Sequence, residues 1–184
     1  PTIPGPTTVP TQARVVTPTS TLIPTSTPTT KTTPTSTPTA TVTVKPAPTC
    51  SEAIQNPGFE EDDGWYLIPT AYTSGYSATQ VRSGQRALRC GIESGGNVFS
   101  YSDARQTIAI PVGVTQATLS FWYYPQSDDT SHDRQYALIR HSTGNLYIFC
   151  VGSNAQKWIY CNYDLSGFAG QNIIVQFGVY NDGS

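Results

Sequence analysis

Methionine is absent from this chain, histidine occurs only twice, and charged residues make up 12% of it. So little charge leaves few of the ion pairs typical of cytosolic enzymes. The ten basic residues are outnumbered by 12 acidic ones, which excludes the basic face a nucleic-acid binder uses to neutralise phosphates. No apolar run approaches the roughly 20 residues of a membrane-spanning helix, and no stretch carries heptads or long helical periodicity. No Asn-x-Ser/Thr sequon occurs, so any glycan is expected to be O-linked. A chain that begins at Pro1 and contains no methionine is expected to be a processed or partial product, with any secretion signal removed or omitted.

What the chain does contain is divided unevenly. Residues 1–49 hold 11 of the 15 prolines, 19 threonines and three serines, and no Phe, Trp, Tyr, Cys, Asp or Glu. With Arg14, Lys31 and Lys45 as its only charges, this segment is +3. Residues 50–184 hold all 12 acids and the other seven bases, and are therefore −5. Two regions follow: an extended segment over 1–49 and a folded domain over 50–184. The heptapeptide at 24–30 recurs almost unchanged at 34–40, and a proline every few residues removes backbone donors and holds the chain near polyproline II. Threonine and serine beside proline make Thr25, Ser26, Thr27, Thr29, Thr35, Ser36, Thr37 and Thr39 candidates for covalent O-glycans. The plainer reading is a flexible spacer. Against it stand short β-prone islands at 12–16, 21–23 and 40–44, the last in strict alternation.

The four cysteines, Cys50, Cys90, Cys150 and Cys161, lack the CxxC spacing of a metal knuckle, and neither His132 nor His141 stands near them in sequence. Four cysteines beside a Thr/Pro segment point to two disulfides and an extracellular or cell-surface location. Three pairings are open. Residues 146–151 and 157–162 read as arms of a hairpin, and that register sets Cys150 opposite Cys161, leaving Cys50 for Cys90. The alternative is one bond and two buried thiols.

Beyond Asn56 the pattern predicts short strands at intervals of 8–12 residues. They are expected near 58–60, 65–68, 78–81, 87–93, 97–101, 104–110, 117–124, 135–141, 146–151, 157–162 and 173–180, with one helical turn at 165–170. This is the size and spacing of an all-β antiparallel sandwich with its own core. The order of motifs carries a resemblance. Asn56, Pro57, Gly58, Phe59 and Glu60 are followed by Trp65, by the run 81–88, by 106–111 and by 117–124. Trp158, the stretch 163–171 and the stretch 177–183 complete the series. This order resembles the jelly-roll carbohydrate-binding modules of secreted, multi-modular bacterial proteins across 50–184.

The resemblance implies two further things. In that family a last strand carrying an acidic residue follows the Asn-Asp-Gly loop, whereas this sequence reads only to Ser184. A sandwich without that strand is expected to expose an apolar groove and an unpaired edge. A strand donated by the extended segment of another copy, through Ala13 and Val15 or Val42 and Val44, would fill it; truncation is the plain alternative. The resemblance also implies a structural calcium held by Glu60 and a backbone carbonyl near Gly58, although the acidic partner on the last strand is missing; the alternative is that 60–63 is a solvated acidic loop, and no other cofactor is required.

Catalysis is not expected. The loop at 128–133 holds Ser131, His132 and Asp133 side by side, whereas a triad draws its members from separate elements of a rigid scaffold. The aromatics suggest binding instead. If the cysteine side of the expected hairpin faces the core, then Tyr147, Phe149, Trp158 and Tyr160 form an outward platform joined by Trp122 and Tyr124; the alternative makes these rings the core. Two functions follow from different classes. One is a non-enzymatic extracellular structural protein whose copies associate into a glycosylated filament or surface layer. The other is a carbohydrate-binding module, with its linker, from a secreted glycoside hydrolase or adhesin.

Overall fold

A computed structural model of the chain describes residues 50–184. The glycosylation candidates between Thr25 and Thr39 and the donor-strand candidates Ala13, Val15, Val42 and Val44 lie outside the described residues. Nine strands make up the domain: β1 (Tyr66–Leu67), β2 (Gly75–Ser77), β3 (Ala87–Arg89), β4 (Phe99–Ala109), β5 (Thr118–Tyr123), β6 (Arg134–His141), β7 (Gly144–Val151), β8 (Ile159–Asp164) and β9 (Asn172–Asp182). One turn of 3₁₀ helix, Ser166–Phe168, falls within the predicted turn. Every strand pairing is antiparallel. Five strands form one sheet in the order β1-β4-β9-β6-β7, while β2 with β3 and β5 with β8 form two separate pairs. The fold is an all-β antiparallel sandwich, as the spacing of strand and turn residues predicts. Among the described residues no helix is long and apolar enough to cross a membrane.

The core lies between the five-stranded sheet and the β5–β8 pair. Ile108, Ile139, Ile173 and Val175 point into it from the sheet and Leu119 from β5, with Trp65 and Leu165 filling its ends. Phe121 and Phe177 meet across the layers with ring centroids 4.8 Å apart. Each such buried aliphatic side chain contributes about 1.5–3 kcal/mol relative to exposure. One polar residue on the inner face has a specific task. Gln106 bonds to the carbonyls of Gln55 and Gly64 at 2.9 and 2.6 Å and accepts from the amide of Gln55 at 2.7 Å, tying the leading loop to β4.

Several sequence expectations are corrected. The segments 97–101 and 104–110 are one strand: Ser102 reads as a break but lies fully buried within β4, so alternation runs through it unbroken. Residues 58–60 are not a strand, because Asn56 and Phe59 take positive φ and the Asn56 amide binds the carbonyls of Glu61 and Asp63. Residues 78–81 form no strand either, and the pairing falls earlier, on β2.

The expected β7–β8 hairpin is absent. β7 folds back on β6 and β8 pairs with β5, so Cys150 stands opposite Tyr136 and Cys161 opposite Phe121. The two thiols expected to bond belong to different pairs of strands, and Cys50, Cys90, Cys150 and Cys161 are all free. In the second layer Leu119 is buried, and Leu88, Phe121 and Tyr163 are half-buried against the core. What the second layer does leave is one edge each on β2, β3, β5 and β8 without a strand partner among the described residues.

Candidate functional site

Strand alternation gives the five-stranded sheet an outer face quite unlike its inner one. On β4 the outward residues are Phe99, Tyr101, Asp103, Arg105 and Thr107; on β9 they are Ile174, Gln176, Gly178, Tyr180 and Asp182. β6 adds Arg134, Tyr136, Leu138 and Arg140, and β7 adds Asn145, Tyr147 and Cys150. Tyr101 and Asp103 of β4, Gln176 and Tyr180 of β9 and the named residues of β6 and β7 line a cleft of about 330 Å³, at the small end of the range of ligand sites.

The floor is a hydrogen-bonded chain of buried polar groups. Arg140 donates to Gln176 Oε1 at 3.4 Å, Gln176 Nε2 donates to Asp103 Oδ1 at 3.0 Å, and the Tyr136 hydroxyl reaches Asp103 Oδ2 at 3.5 Å. Asp103, Tyr136 and Gln176 are each at least nine-tenths buried. Gly178 makes this arrangement fit. A Cβ there would lie 2.5 Å from the Tyr136 hydroxyl and 2.6 Å from Asp103 Cβ, so the Tyr136 ring lies over bare backbone. Burial raises the Asp103 carboxyl above its ordinary value, against the opposing pull of Arg105, the Tyr136 hydroxyl and Arg140. Burial, and then the Asp103 charge, raises the Tyr136 phenol as well.

Around this floor stands a rim of aromatic rings. Tyr101 and Tyr180 approach with centroids 5.0 Å apart, and Phe99 sets an edge against each of them at 5.9 and 5.8 Å. Tyr147 stands across the cleft, edge-on to Tyr136 at 6.4 Å. Phe99, Tyr101 and Tyr147 are 66%, 47% and 53% exposed, a large apolar surface to leave in water beside a polar floor.

The six aromatic residues predicted as one platform are divided among four places. Tyr147 lines the cleft. Phe149 turns inward and stacks on Tyr123 at 4.5 Å, because the β6–β7 register shifts between Ala137 and Leu138 and leaves Ile148 unpaired. Trp122 and Tyr160 face outward from the β5–β8 pair at 5.1 Å, with the Arg82 guanidinium 3.9 Å over the indole. Tyr124 and Trp158 meet edge-on at 5.5 Å and are half-buried. The residues missed were Phe99, Tyr101, Asp103, Tyr136, Gln176 and Tyr180. Their signal was the period-2 row Phe99, Tyr101, Asp103, Arg105, hidden when β4 was read as two strands.

The expected calcium ligands are otherwise engaged. The Glu60 carboxylate accepts from the Gln85 amide at 3.1 Å and the Arg86 amide at 3.5 Å, packed so tightly on Gly84 that no Cβ fits there. Glu60 thereby anchors the 84–86 turn, while neighbouring Asp62 pairs with Arg86 at 2.6 Å. These residues do not form the six-to-eight-oxygen cage that calcium takes. A different group, Asp129, His132 and Asp182, brings its ligand atoms within 4.8 Å of one another. There His132 Nδ1 lies 2.9 Å from Asp129 Oδ2, and among the described residues no serine hydroxyl is bonded to the imidazole. No family model matches the chain, and no curated protein matches it.

Proposed function

We propose that the domain is a non-enzymatic polysaccharide-binding module acting outside the cell, with the Thr/Pro segment as its O-glycosylated linker. The observation that carries this reading is the group of exposed Phe99, Tyr101 and Tyr147 with half-buried Tyr180 around a floor of hydrogen-bonding groups on one sheet face. Sugar rings present apolar C–H faces that lie on aromatic surfaces, and hydroxyls that need fixed donors and acceptors. Asp103, Gln176 and Tyr136 supply the second requirement, pre-positioned by their own bonds. The resemblance to jelly-roll carbohydrate-binding modules agrees with this use of the fold. Affinity electrophoresis through gels containing neutral and acidic polysaccharides tests it. Wild-type chain is expected to be retarded by at least one polymer, Tyr101→Ala and Tyr180→Ala are expected to abolish that retardation, and Trp122→Ala, on the other layer, is expected to preserve it. Retention that needs Trp122 and ignores Tyr101 would move the site to the β5–β8 pair.

A second reading is self-association into a filament or surface layer, supported by the strand edges of β3, β5 and β8 that lack a partner among the described residues. It predicts fibres by electron microscopy of the full chain, lost when Val42 and Val44 are replaced by proline. Dispersed monomers would rule it out.

A further inference from the structure

Resting on the polysaccharide-binding reading, we infer that the ligand is an acidic polysaccharide, one whose sugars carry carboxylates. The argument is charge. Residues 50–184 are −5 overall, yet the cleft is lined by Arg134, Arg140 and a single acid, Asp103. On the wider face Arg105, with its guanidinium 5.3 Å over Tyr66, joins the bases and Asp182 the acids. None of these three arginines has a carboxylate at ion-pair distance among the described residues. An acidic domain that gathers unpaired guanidinium groups on one face favours an anion there.

The donors left over suit a carboxylate. Among the described residues Arg140 uses only one of its five N–H groups, toward Gln176 at 3.4 Å. Arg134 spends three on the carbonyls of Thr130, Ser131 and Asp133, which fix its plane and leave two without a partner among the described residues. A guanidinium so held offers a fork to a planar carboxylate. Arg134 and Arg140 lie six residues apart on one strand, about 20 Å at the usual rise, with Tyr136 between them. An extended polymer crossing the cleft meets a cation at each end and aromatic faces in the middle.

The test compares polygalacturonate with the same polymer methyl-esterified, which removes charge and keeps the sugar skeleton. Retention of the full chain is expected to be at least tenfold stronger on the acid form and to weaken as salt rises. Arg140→Gln and Arg105→Gln are expected to lower it about tenfold while thermal unfolding shows an intact fold, and Arg140→Lys to restore part of it. Equal retention on both forms overturns the inference, as does retention indifferent to both arginine substitutions. Binding to neutral polymers alone also overturns it and leaves the polysaccharide-binding reading standing, whereas binding to no polysaccharide of either kind removes both. Capture by dextran sulfate without polygalacturonate overturns the carboxylate assignment.

Discussion

Tyr147 and Phe149 stand two residues apart on β7 yet face opposite sides of the sheet, because the unpaired Ile148 adds one residue to that strand and flips everything after it. Tyr147 goes to the cleft and Phe149 to the interior against Tyr123 and Phe121. Phe149→Ala is therefore expected to cost about 2–3 kcal/mol in urea unfolding, somewhat under the loss for a fully buried phenylalanine. Tyr147→Ala is expected to change stability by no more than about 0.5 kcal/mol and to weaken polysaccharide retention. The opposite assignment of losses would place the bulge elsewhere.

Gly178 is the one position in the floor where a methyl group cannot enter. Alanine there would push on the Tyr136 hydroxyl and on Asp103 Cβ. Overpacking of this kind costs about 1–3 kcal/mol, and Gly178→Ala is expected to show that loss by denaturant unfolding together with loss of retention. A variant that binds and unfolds like wild type would mean that Tyr136 does not lie across the floor.

Asp103 offers a stability test with a definite sign. Burial raises its folded-state carboxyl above the unfolded value of about 3.9. A carboxyl raised in this way contributes stability below the unfolded value and loses it as pH climbs through the folded one. Asp103→Asn, which keeps shape without charge, is expected to raise the urea midpoint at pH 7 and to lose that advantage in acid below the unfolded value. An unchanged midpoint at pH 7 would show the carboxylate to be compensated by Arg105 and Arg140.

His132 titrates in the opposite sense. Its bond to Asp129, helped by the charges of Asp129 and Asp182 and opposed by Arg134, raises the imidazole above its ordinary value, while the same bond lowers Asp129. The histidine's contribution is complete below about 6.5 and fades as pH rises through the raised value; that of Asp129 is complete above about 3.9 and fades as pH falls through the lowered one. The contact is thus strongest in mildly acidic solution. NMR titration of the ring is expected to report a value above 6.5 that drops in Asp129→Asn. A value that ignores the substitution would show that the two groups do not meet.

The four thiols differ in exposure. Cys50 and Cys150 are exposed, whereas burial pushes the Cys90 thiol up to about 12 and raises that of Cys161. Alkylation followed by peptide mapping is expected to label Cys50 and Cys150 in the native protein and Cys90 only after unfolding. A chain that takes up no reagent until it is reduced would restore the bridged reading.

Composition alone predicts a division at residue 49, because a proline-rich segment without aromatic residues has little to pack, whereas aromatics in alternating strands can build a core. Strand spacing likewise determined an antiparallel sandwich, since period-2 alternation is a local property of the backbone. The partner of each strand was not legible. Residues 146–151 and 157–162 look like hairpin arms, but each finds its partner elsewhere, β7 on β6 and β8 on β5, through contacts between layers that no local pattern records. That choice separated Cys150 from Cys161 and split the predicted aromatic platform. It also brought Asp103, Tyr136 and Gln176, three residues from three strands, together on one floor. A side chain's face is written in its own strand; its neighbours across the sheet are decided only when the whole core closes.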